Sequence, residues 1–473
     1  MMFKQNSATL ALRRGGALAG YLGALILLSG GPETLLAAPA VAQESGYEFD
    51  QKLSLQAGYG PEGSLIGQSH EAFMGLRYEP TLRTYWPQRE WSQWQTFVRL
   101  WLNYNTSDAS NPAFENAGPQ IEGFSAEARE FYLKRNLIND DPRLSATLGR
   151  QRFSDHFGVW WDDSIESLRV SFQDTDQTAF IALAEHFSTY NSDDIHLAEQ
   201  DKKILYLLAD YSQQWQQNHW AGLRGLYEYD HSDDAQMALP ASVTGSQAQQ
   251  TTFDTSGFRV GFYAHGDTQA PKGGTDYHVE TLYLQQRRVS PQRSPDHREG
   301  WAVIGEVGQT WNTLALQPRV ALRTGITDKP SDARDGFYLN RLQSDRVSNP
   351  SSYTTGLAGS FVTVDLRNLF FYGVILETHP DERQQLDIRL FDLYSRNDNL
   401  APAINMTSPT LHPDHSIGQV LDISHYWKAF PWAVQGKQLN MNLLSNLSYF
   451  VAGDASQAAG DDIQVTMGLD LRY

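Results

Sequence analysis

Seven basic residues of this sequence occupy the same place in a repeating pattern, in which apolar and polar residues alternate. Guanidinium and ammonium groups attract anions, and rows of them inside a channel select for negatively charged solutes. Arginine suits carboxylates because its planar fork of donors matches their two oxygens. The same groups can instead pair with neighbouring acids and brace a protein wall, so both interpretations stay open here. The seven residues are Lys52, Arg77, Arg99, Arg224, Arg319, Arg323 and Arg389.

Other kinds of chemistry find little support in the sequence. The chain has no cysteine, which excludes disulfides, thiolate zinc sites and iron–sulfur clusters. His70 and Glu71 begin like a zinc-protease motif, but Met74 stands where the second histidine should be. The sequence also has no nucleophile elbow and no phosphate-binding loop, and its 13 histidines are scattered. We therefore predict no enzyme, no cofactor and no metal, with a barrel lipase that uses a Ser–His pair as the remaining catalytic alternative.

The amino-terminal 42 residues have the composition of a secretory signal peptide. A basic stretch ending at Arg14 precedes the apolar run 15–28, and small residues up to Ala42 form a cleavage site. No later segment supplies 18 consecutive apolar residues, so we expect no transmembrane helix. The net charge of −18 argues against a nucleic-acid partner, which requires a basic surface. We predict an exported mature chain that spans residues 43–473.

The last eleven residues show a strict period of two that ends in an aromatic residue. Successive side chains of a strand point to opposite faces, so one face of this segment is apolar and the other polar. A carboxyl-terminal strand of this kind is typical of bacterial outer-membrane barrels, where the apolar face contacts lipid. Its apolar positions are Ile463, Val465, Met467, Leu469, Leu471 and Tyr473.

The same alternation recurs along the chain and predicts the whole architecture. Because charged side chains cannot face hydrocarbon, the polar face of every strand must face the lumen. We predict one domain, residues 43–473, folded as an all-β, single transmembrane antiparallel barrel of about 18 strands (16–20). It should lie in the outer membrane of a Gram-negative bacterium, in contact with its lipid. Long connections are expected at 106–123, 230–257, 327–352 and 396–414.

Several motifs resemble the alginate export family of outer-membrane barrels. The resemblance is strongest over residues 126–235 and returns near the carboxyl terminus. Its most specific parts are the block with two arginines and the tryptophan-rich block that follows it. The motifs are AREF at 128–131, LGRQRF at 148–153, WWDDSIESL at 160–168, EHFSTY at 185–190 and IGQVLD at 417–422.

The resemblance implies an electropositive conduit with a few acidic residues at its constriction. Glu130 and Asp162 would be the acidic partners, with Asp193 near a further acidic position. Strict alternation places Arg129 and Glu130 on opposite faces, so both can line a pore only if the strand contains a bulge or a bend there. The resemblance also makes 106–123 an extracellular lid and 327–352 a periplasmic plug. With the late strands added, the predicted conduit is Lys52, Arg77, Arg129, Arg152, Arg319, Arg323 and Arg389.

The sequence departs from the family at four positions where a charged residue is expected. Thr189 replaces an acid, and Asn440, Asn442 and Leu357 replace arginines, so the conduit would carry less positive charge. We expect passive export of an anionic polysaccharide, alginate or a similar polyuronate, by a monomer. A periplasmic exopolysaccharide secretion complex would feed it. The alternative is a porin for small acidic solutes or oligouronates.

Overall fold

A computed structural model describes most of the predicted barrel. The predicted signal segment 1–42 and Asp193 lie outside the described residues. Within the described ranges, no helix is long and apolar enough to cross a membrane. The described residues are 46–59, 72–87, 92–106, 123–139, 141–192, 197, 203–231, 254–268, 270, 272–290, 293–331, 336–337, 339–340, 342, 357–359, 366–400, 413–434, 437–456 and 460–473.

In the described part of the chain, eighteen antiparallel strands form one closed sheet, which confirms the predicted all-β barrel and its strand number. Each strand pairs with its neighbours in the sequence, and the first strand closes the barrel by pairing with the last. The strands are β1 (Tyr47–Tyr59), β2 (Phe73–Trp86), β3 (Trp94–Asn105), β4 (Gly123–Ile138), β5 (Asp141–Ser154), β6 (Asp162–Gln173), β7 (Gln177–Glu185), β8 (Ile204–Gln216), β9 (His219–Asp230), β10 (Asp254–Asp267), β11 (Gly274–Ser290), β12 (Arg293–Thr310), β13 (Arg319–Thr327), β14 (Leu369–Asp381), β15 (Gln384–Ser395), β16 (Ser416–Val434), β17 (Lys437–Ala452) and β18 (Asp462–Arg472).

The terminal strand β18 shows why the sequence adopts this fold. Its odd-numbered side chains face outward, and Met467 is 63% exposed, whereas Gln464 and Thr466 are buried on the inner side. Closure pairs the backbone of β18 with β1 over eight residue pairs, from Lys52 opposite Arg472 to Tyr59 opposite Val465. Lipid offers no hydrogen bonds to a free strand edge, so a closed sheet with an apolar outer face is the stable arrangement.

The two ends of the barrel differ in the length of their connections. Connections that follow even-numbered strands are short, the longest being 311–318. Those that follow odd-numbered strands include 231–253 and 328–368, and they leave the end opposite to both chain termini. In outer-membrane barrels the long loops are extracellular and the short turns periplasmic.

This topology corrects one detail of the sequence analysis. The predicted lid at 106–123 and the predicted plug at 327–352 follow β3 and β13, so both leave the same, extracellular end. The lid assignment agrees with that end, whereas a periplasmic plug made by 327–352 does not. Much of both segments, 107–122 and 343–352 in particular, lies outside the described residues.

The hairpin of β5 and β6 leaves the wall and bends into the lumen. The ladder between β4 and β5 reaches Phe131 opposite Arg150 and goes no further, although β5 stays paired with β6 as far as Ser154. Above this point residues 190–192 lie beside β4, and the Ala128 N–H donates to the Tyr190 carbonyl at 3.0 Å. The hairpin is thus free to carry its loop, 155–161, away from the wall.

The loop 155–161 packs against β10 through Trp160 and against Phe180 of β7 through Trp161. Trp160 is 1% exposed, and its ring lies so close to Gly261 on β10 that an added Cβ would approach it to 2.5 Å. Asn340 and Leu342, from a second extracellular connection, contact this loop. Asn340 donates to the Trp160 carbonyl, and the Asp162 N–H donates to the Leu342 carbonyl at 2.7 Å. Apolar packing therefore fills the part of the lumen beside β10.

Replacing Trp160 by alanine should loosen this packing and widen the channel. Loss of a buried tryptophan costs about 3–5 kcal/mol of packing energy, and here that energy holds the loop 155–161 in the lumen. We expect a larger single-channel conductance in planar bilayers. Trp215→Ala, which removes a tryptophan that is 61% exposed, is the matched control. A folded Trp160→Ala barrel with the wild-type conductance would contradict the packing described above.

Candidate anion conduit

Two arginines lie on the indole ring of Trp101 inside the barrel. The guanidinium carbon of Arg77 is 3.9 Å from the ring centroid and that of Arg129 is 4.5 Å away. Arg77 also donates from Nε to Oδ1 of Asn103 at 2.8 Å. Aromatic faces attract cations most strongly where water is excluded, and all three side chains are buried. Strands β2, β3 and β4 thus hold two positive groups side by side.

A bulge in β4 explains how Arg129 and Glu130 both reach this region. Arg99 on β3 pairs with Glu130, but the next residue, Leu100, pairs with Ala128, which leaves Arg129 as an extra residue. The bulge supplies the change of face that the sequence alternation required, and both side chains are buried. Glu130 forms an ion pair with Arg99, while the Arg129 Nη1 lies 3.2 Å from Glu127.

Arg152 and Asp162 form an ion pair across the inward hairpin. The Arg152 Nη2 lies 2.9 Å from the Asp162 Oδ1, and each side chain keeps some contact with solvent. On the other face of the hairpin Phe153 packs against Phe180 of β7. Asp163, which is paired with Phe153 on the same face, lies 3.4 Å from the Nε2 of His186. The third predicted acid, Asp193, lies outside the described residues.

Lys52 and Arg389 also have acidic neighbours. The Lys52 Nζ lies 3.4 Å from the Asp470 Oδ2, across the seam that closes the barrel. Arg389 on β15 lies 3.3 Å from Asp387 and 3.9 Å from Asp422, and within the described chain its Nε and Nη1 form no hydrogen bond. Two nitrogen atoms of its guanidinium therefore remain able to donate hydrogen bonds to a ligand.

Arg319 and Arg323 share one carboxylate on β12. The Glu306 Oε1 lies 2.7 Å from the Arg319 Nη2, and its Oε2 lies 2.7 Å from the Arg323 Nε. Arg319 also contacts Asp276, and it lies 3.2 Å from Glu377. Arg323 donates from Nη1 to the carbonyl of Leu357. This group is closely neutralised by acids.

The predicted basic residues therefore form two separate groups. Those of β1 to β5 lie around Trp101 and the inward hairpin, and those of β13 to β15 lie on another part of the wall. Carboxylates accompany nearly all of them, so the wall is a set of ion pairs rather than a bare positive surface. The same basic side chains could therefore brace the wall through these ion pairs or bind an anion, which are the two interpretations of the sequence.

Arg224 has acidic surroundings that the sequence pattern did not predict. Its Nε lies 2.6 Å from Asp210, and its Nη1 lies 3.1 Å from Glu280 and 3.9 Å from Asp155. Asp155 also accepts hydrogen bonds from the backbone N–H groups of Trp160 and Trp161. Burial, followed by the nearby charge of Glu280, raises the pKa of the Asp155 carboxyl. Arg224 thereby links the wall to the inward loop.

Trp101 and Asp155, which the sequence did not single out, differ in how far their positions could be predicted. The alternation of β3 already placed Trp101 on the inner face, so its position was predictable while its contact with two arginines was not. Asp155 follows β5 directly, and no local pattern indicates that it contacts β9. Among the described residues, no group of His, Asp or Glu side chains is arranged to hold a metal ion.

Replacing Arg224 by methionine should strongly destabilise the barrel. The substitution leaves Asp210, Glu280 and Asp155 close together without their shared cation, and an uncompensated buried charge costs about 3–5 kcal/mol. We expect a lower free energy of unfolding in urea in detergent micelles. Arg143→Met, which removes an arginine whose side chain is 56% exposed, should have little effect. Equal losses in the two variants would show that the cluster contributes nothing specific.

Comparison with known proteins identifies the family. The sequence matches the alginate export family over residues 74–468. The alginate production protein AlgE of Pseudomonas aeruginosa is 29% identical over 224 residues, which cover 42% of each chain. AlgE of Azotobacter vinelandii is 25% identical over 254 residues, or 51% of each chain. The matched region thus spans about half the length of these curated relatives or less.

Solved structures share the fold at low sequence identity. The outer-membrane protein OpdK of Pseudomonas aeruginosa, solved with vanillate, superposes with a TM-score of 0.57 at 10% identity, covering 90% of this chain and 98% of its own. OccAB1 of Acinetobacter baumannii gives a TM-score of 0.55 at 10% identity, covering 90% and 96%. These likenesses establish the architecture. The protein is an outer-membrane β-barrel of a Gram-negative bacterium, and it belongs to the alginate export family.

Proposed function

We propose that this protein exports an anionic polysaccharide, alginate or a similar polyuronate, through a lumen lined by arginine and lysine. The observation that carries the proposal is the pair of buried guanidiniums on Trp101, inside a barrel of the alginate export family. Arg152 and Lys52 extend this basic group. Arg319, Arg323 and Arg389 form the second group, in which Arg389 keeps unused donors.

The ion pairs suggest how a polyanion passes without being trapped. A carboxylate of the polymer that approaches Arg152 takes the place of Asp162, so one ion pair is exchanged for another of similar energy. In the same way, a carboxylate of the polymer can replace Glu130 as the ion-pair partner of Arg99. Several weak sites in series allow a charged chain to enter and leave, whereas one strong site would hold it. Asp162, Glu130 and, by position in the family, Asp193 therefore keep the binding reversible.

Movement through this conduit would be passive. A polymer made in the periplasm enters from the short-turn end and is pushed outward by synthesis behind it, so the channel needs no cofactor. A periplasmic exopolysaccharide secretion complex would supply the chain, and the barrel would work as a monomer in outer-membrane lipid. Membership of the alginate export family favours transport over catalysis.

One observation favours a second candidate, a porin for small acidic solutes or oligouronates. The inward loop 155–161, with Asn340 and Leu342 packed on it, fills part of the lumen, which leaves less room for a polymer. The two functions differ in a direct way. A polymer exporter restores secretion when it is supplied to cells that lack their own exporter, whereas a solute porin passes oligouronates in bilayers without doing so.

Reversing two charges of the conduit should change its ion selectivity. Arg77→Glu combined with Arg152→Glu places negative groups where two guanidiniums lie, so we expect the chloride-to-potassium permeability ratio to fall several-fold or to invert. The measurement is the reversal potential in a salt gradient across a planar bilayer. Arg143→Glu makes the same kind of charge change on a largely exposed side chain and should leave the ratio unchanged. Unchanged selectivity in the double variant would remove Arg77 and Arg152 from the conduit.

A further inference from the structure

Two basic side chains of the inner wall have no acidic partner among the described residues. Lys134 of β4 forms no hydrogen bond and no ion pair there, and the same holds for the guanidinium of Arg169 on β6. Both side chains are half-buried. The basic residues of the predicted conduit, by contrast, nearly all lie beside carboxylates. Lys134 and Arg169 therefore carry positive charge that no adjacent carboxylate of the described chain cancels.

The strand register brings these two residues to the same level of the barrel. Thr147 of β5 is paired with Lys134 on one side and with Arg169 on the other. Adjacent strands lie about 5 Å apart, so the backbones of the two basic residues are about 10 Å apart, which long side chains can span. The leucines next to these three residues are exposed on the outer face, which places the three side chains in the lumen. These leucines are Leu133, Leu148 and Leu168.

Aromatic rings position the guanidinium of Arg169. Its central carbon lies 4.2 Å from the ring centroid of Phe180 and 5.4 Å from that of Phe153. A guanidinium that lies over an aromatic face keeps its N–H donors in its own plane, where they remain available. The Arg169 Nε has no acceptor within the described chain, and the side chain keeps some contact with the lumen. Arg169 is thus held in place with donors that a ligand can use.

The acid whose charge acts on Arg169 is engaged elsewhere. This acid, Asp210, accepts hydrogen bonds from the Arg224 Nε at 2.6 Å and from the Tyr263 hydroxyl at 2.9 Å. Lys134 adds a second positive charge, close enough to act on Arg169. Because a charge that is shielded from water and lacks a partner lowers stability, binding explains this pair of like charges better than bracing does.

The pair lies toward the end of the barrel that has the short turns. Lys134 and Arg169 each lie four residues before the end of a strand that runs to this periplasmic end. Arg152 and Asp162 lie near the opposite ends of their strands. A polymer that enters from the periplasm therefore passes Lys134 and Arg169 before it reaches the ion pair of the inward hairpin.

We propose that Lys134 and Arg169, on either side of Thr147, form an entry site that captures a carboxylate of the polyuronate at the periplasmic end of the conduit. The inference rests on the proposed function and deepens it by naming where the polymer first binds. The planar fork of the guanidinium matches the two oxygens of a carboxylate, and the ammonium adds a second positive charge. Capture here displaces no adjacent carboxylate of the described chain, whereas binding to Arg152 displaces Asp162.

Blockade of single channels from each side of a planar bilayer tests this site. A defined alginate oligomer is added first to one chamber and then to the other, and the frequency of blockades is measured. We expect blockades from the periplasmic side to begin about tenfold more often, because an uncompensated basic site steers anions to that entrance.

The orientation of each channel is read from a short turn. Leu314 is 54% exposed in the connection 311–318, and the sequence has no cysteine, so a biotin can be attached to the variant Leu314→Cys alone. Streptavidin then binds from the periplasmic chamber only, and the resulting change in current identifies that side.

Removing both cations should abolish the difference between the two sides. Lys134→Met with Arg169→Met keeps the side chains long and removes two charges, so the blockade frequency from the periplasmic side should fall about tenfold. The frequency from the extracellular side should stay the same. Arg83→Met with Arg143→Met is the matched control, because it removes two charges at the same end from arginines that already form ion pairs. The control should keep the difference.

The stability of the double variant separates binding from bracing. Since Lys134 and Arg169 have no acidic partner in the described chain, their replacement by methionine leaves no carboxylate without its cation. The free energy of unfolding in urea in detergent micelles should therefore not decrease. A double variant that unfolds more easily, or that does not fold, would show that the pair braces the wall and would overturn the entry site.

The remaining outcomes separate the entry site from the proposed function. Anion-selective wild-type channels that the oligomer blocks equally from both sides would overturn the entry site and leave the conduit intact. A folded double variant that keeps the wild-type difference, or a control that loses it just as fully, would do the same. Wild-type channels that the oligomer blocks from neither side and that lack anion selectivity would overturn the proposed function and the entry site together.

Discussion

The surrounding hydrocarbon is the constraint on which this structure depends. It requires every backbone group of the spanning segments to be paired within the protein, which the closed ladder between β1 and β18 achieves. It also requires each strand to turn its apolar residues outward, as Met467 does, and to place its polar residues in the lumen. The charged side chains of the barrel therefore lie together in the lumen, where each one changes the electrostatic environment of its neighbours.

Within the lumen, most arginines that could attract an anion are paired with acidic side chains. Glu306 holds two arginines, and Arg224 is surrounded by three acids. Such groups brace the wall and the inward loop. Around Trp101 the arrangement differs, because the aromatic ring carries part of the contact with Arg77 and Arg129. An aromatic face stabilises a cation without cancelling its charge, although Arg129 also lies 3.2 Å from Glu127. In the function we propose, this region would receive a carboxylate of the polymer.

The sequence predicts the wall well and the lumen poorly, for physical reasons. Alternation within a strand is local, so the terminal strand, the closed fold and the inner position of Trp101 could all be inferred. The bulge at Arg129 could be named as a requirement but not located. The contact between Asn340 and Trp160 joins residues 180 positions apart, and no local pattern indicates it. The end at which 327–352 emerges depends on the parity of all the preceding strands, which an approximate strand count cannot give.

The ion selectivity of the unmodified channel tests the central claim most directly. Wild-type protein in a planar bilayer, bathed by unequal potassium chloride concentrations on its two sides, develops a reversal potential whose sign identifies the preferred ion. An electropositive conduit predicts a clear preference for chloride, which weakens as salt screens the arginines. A preference for potassium would mean that the buried acids dominate the lumen, and it would contradict an electropositive conduit for a polyanion.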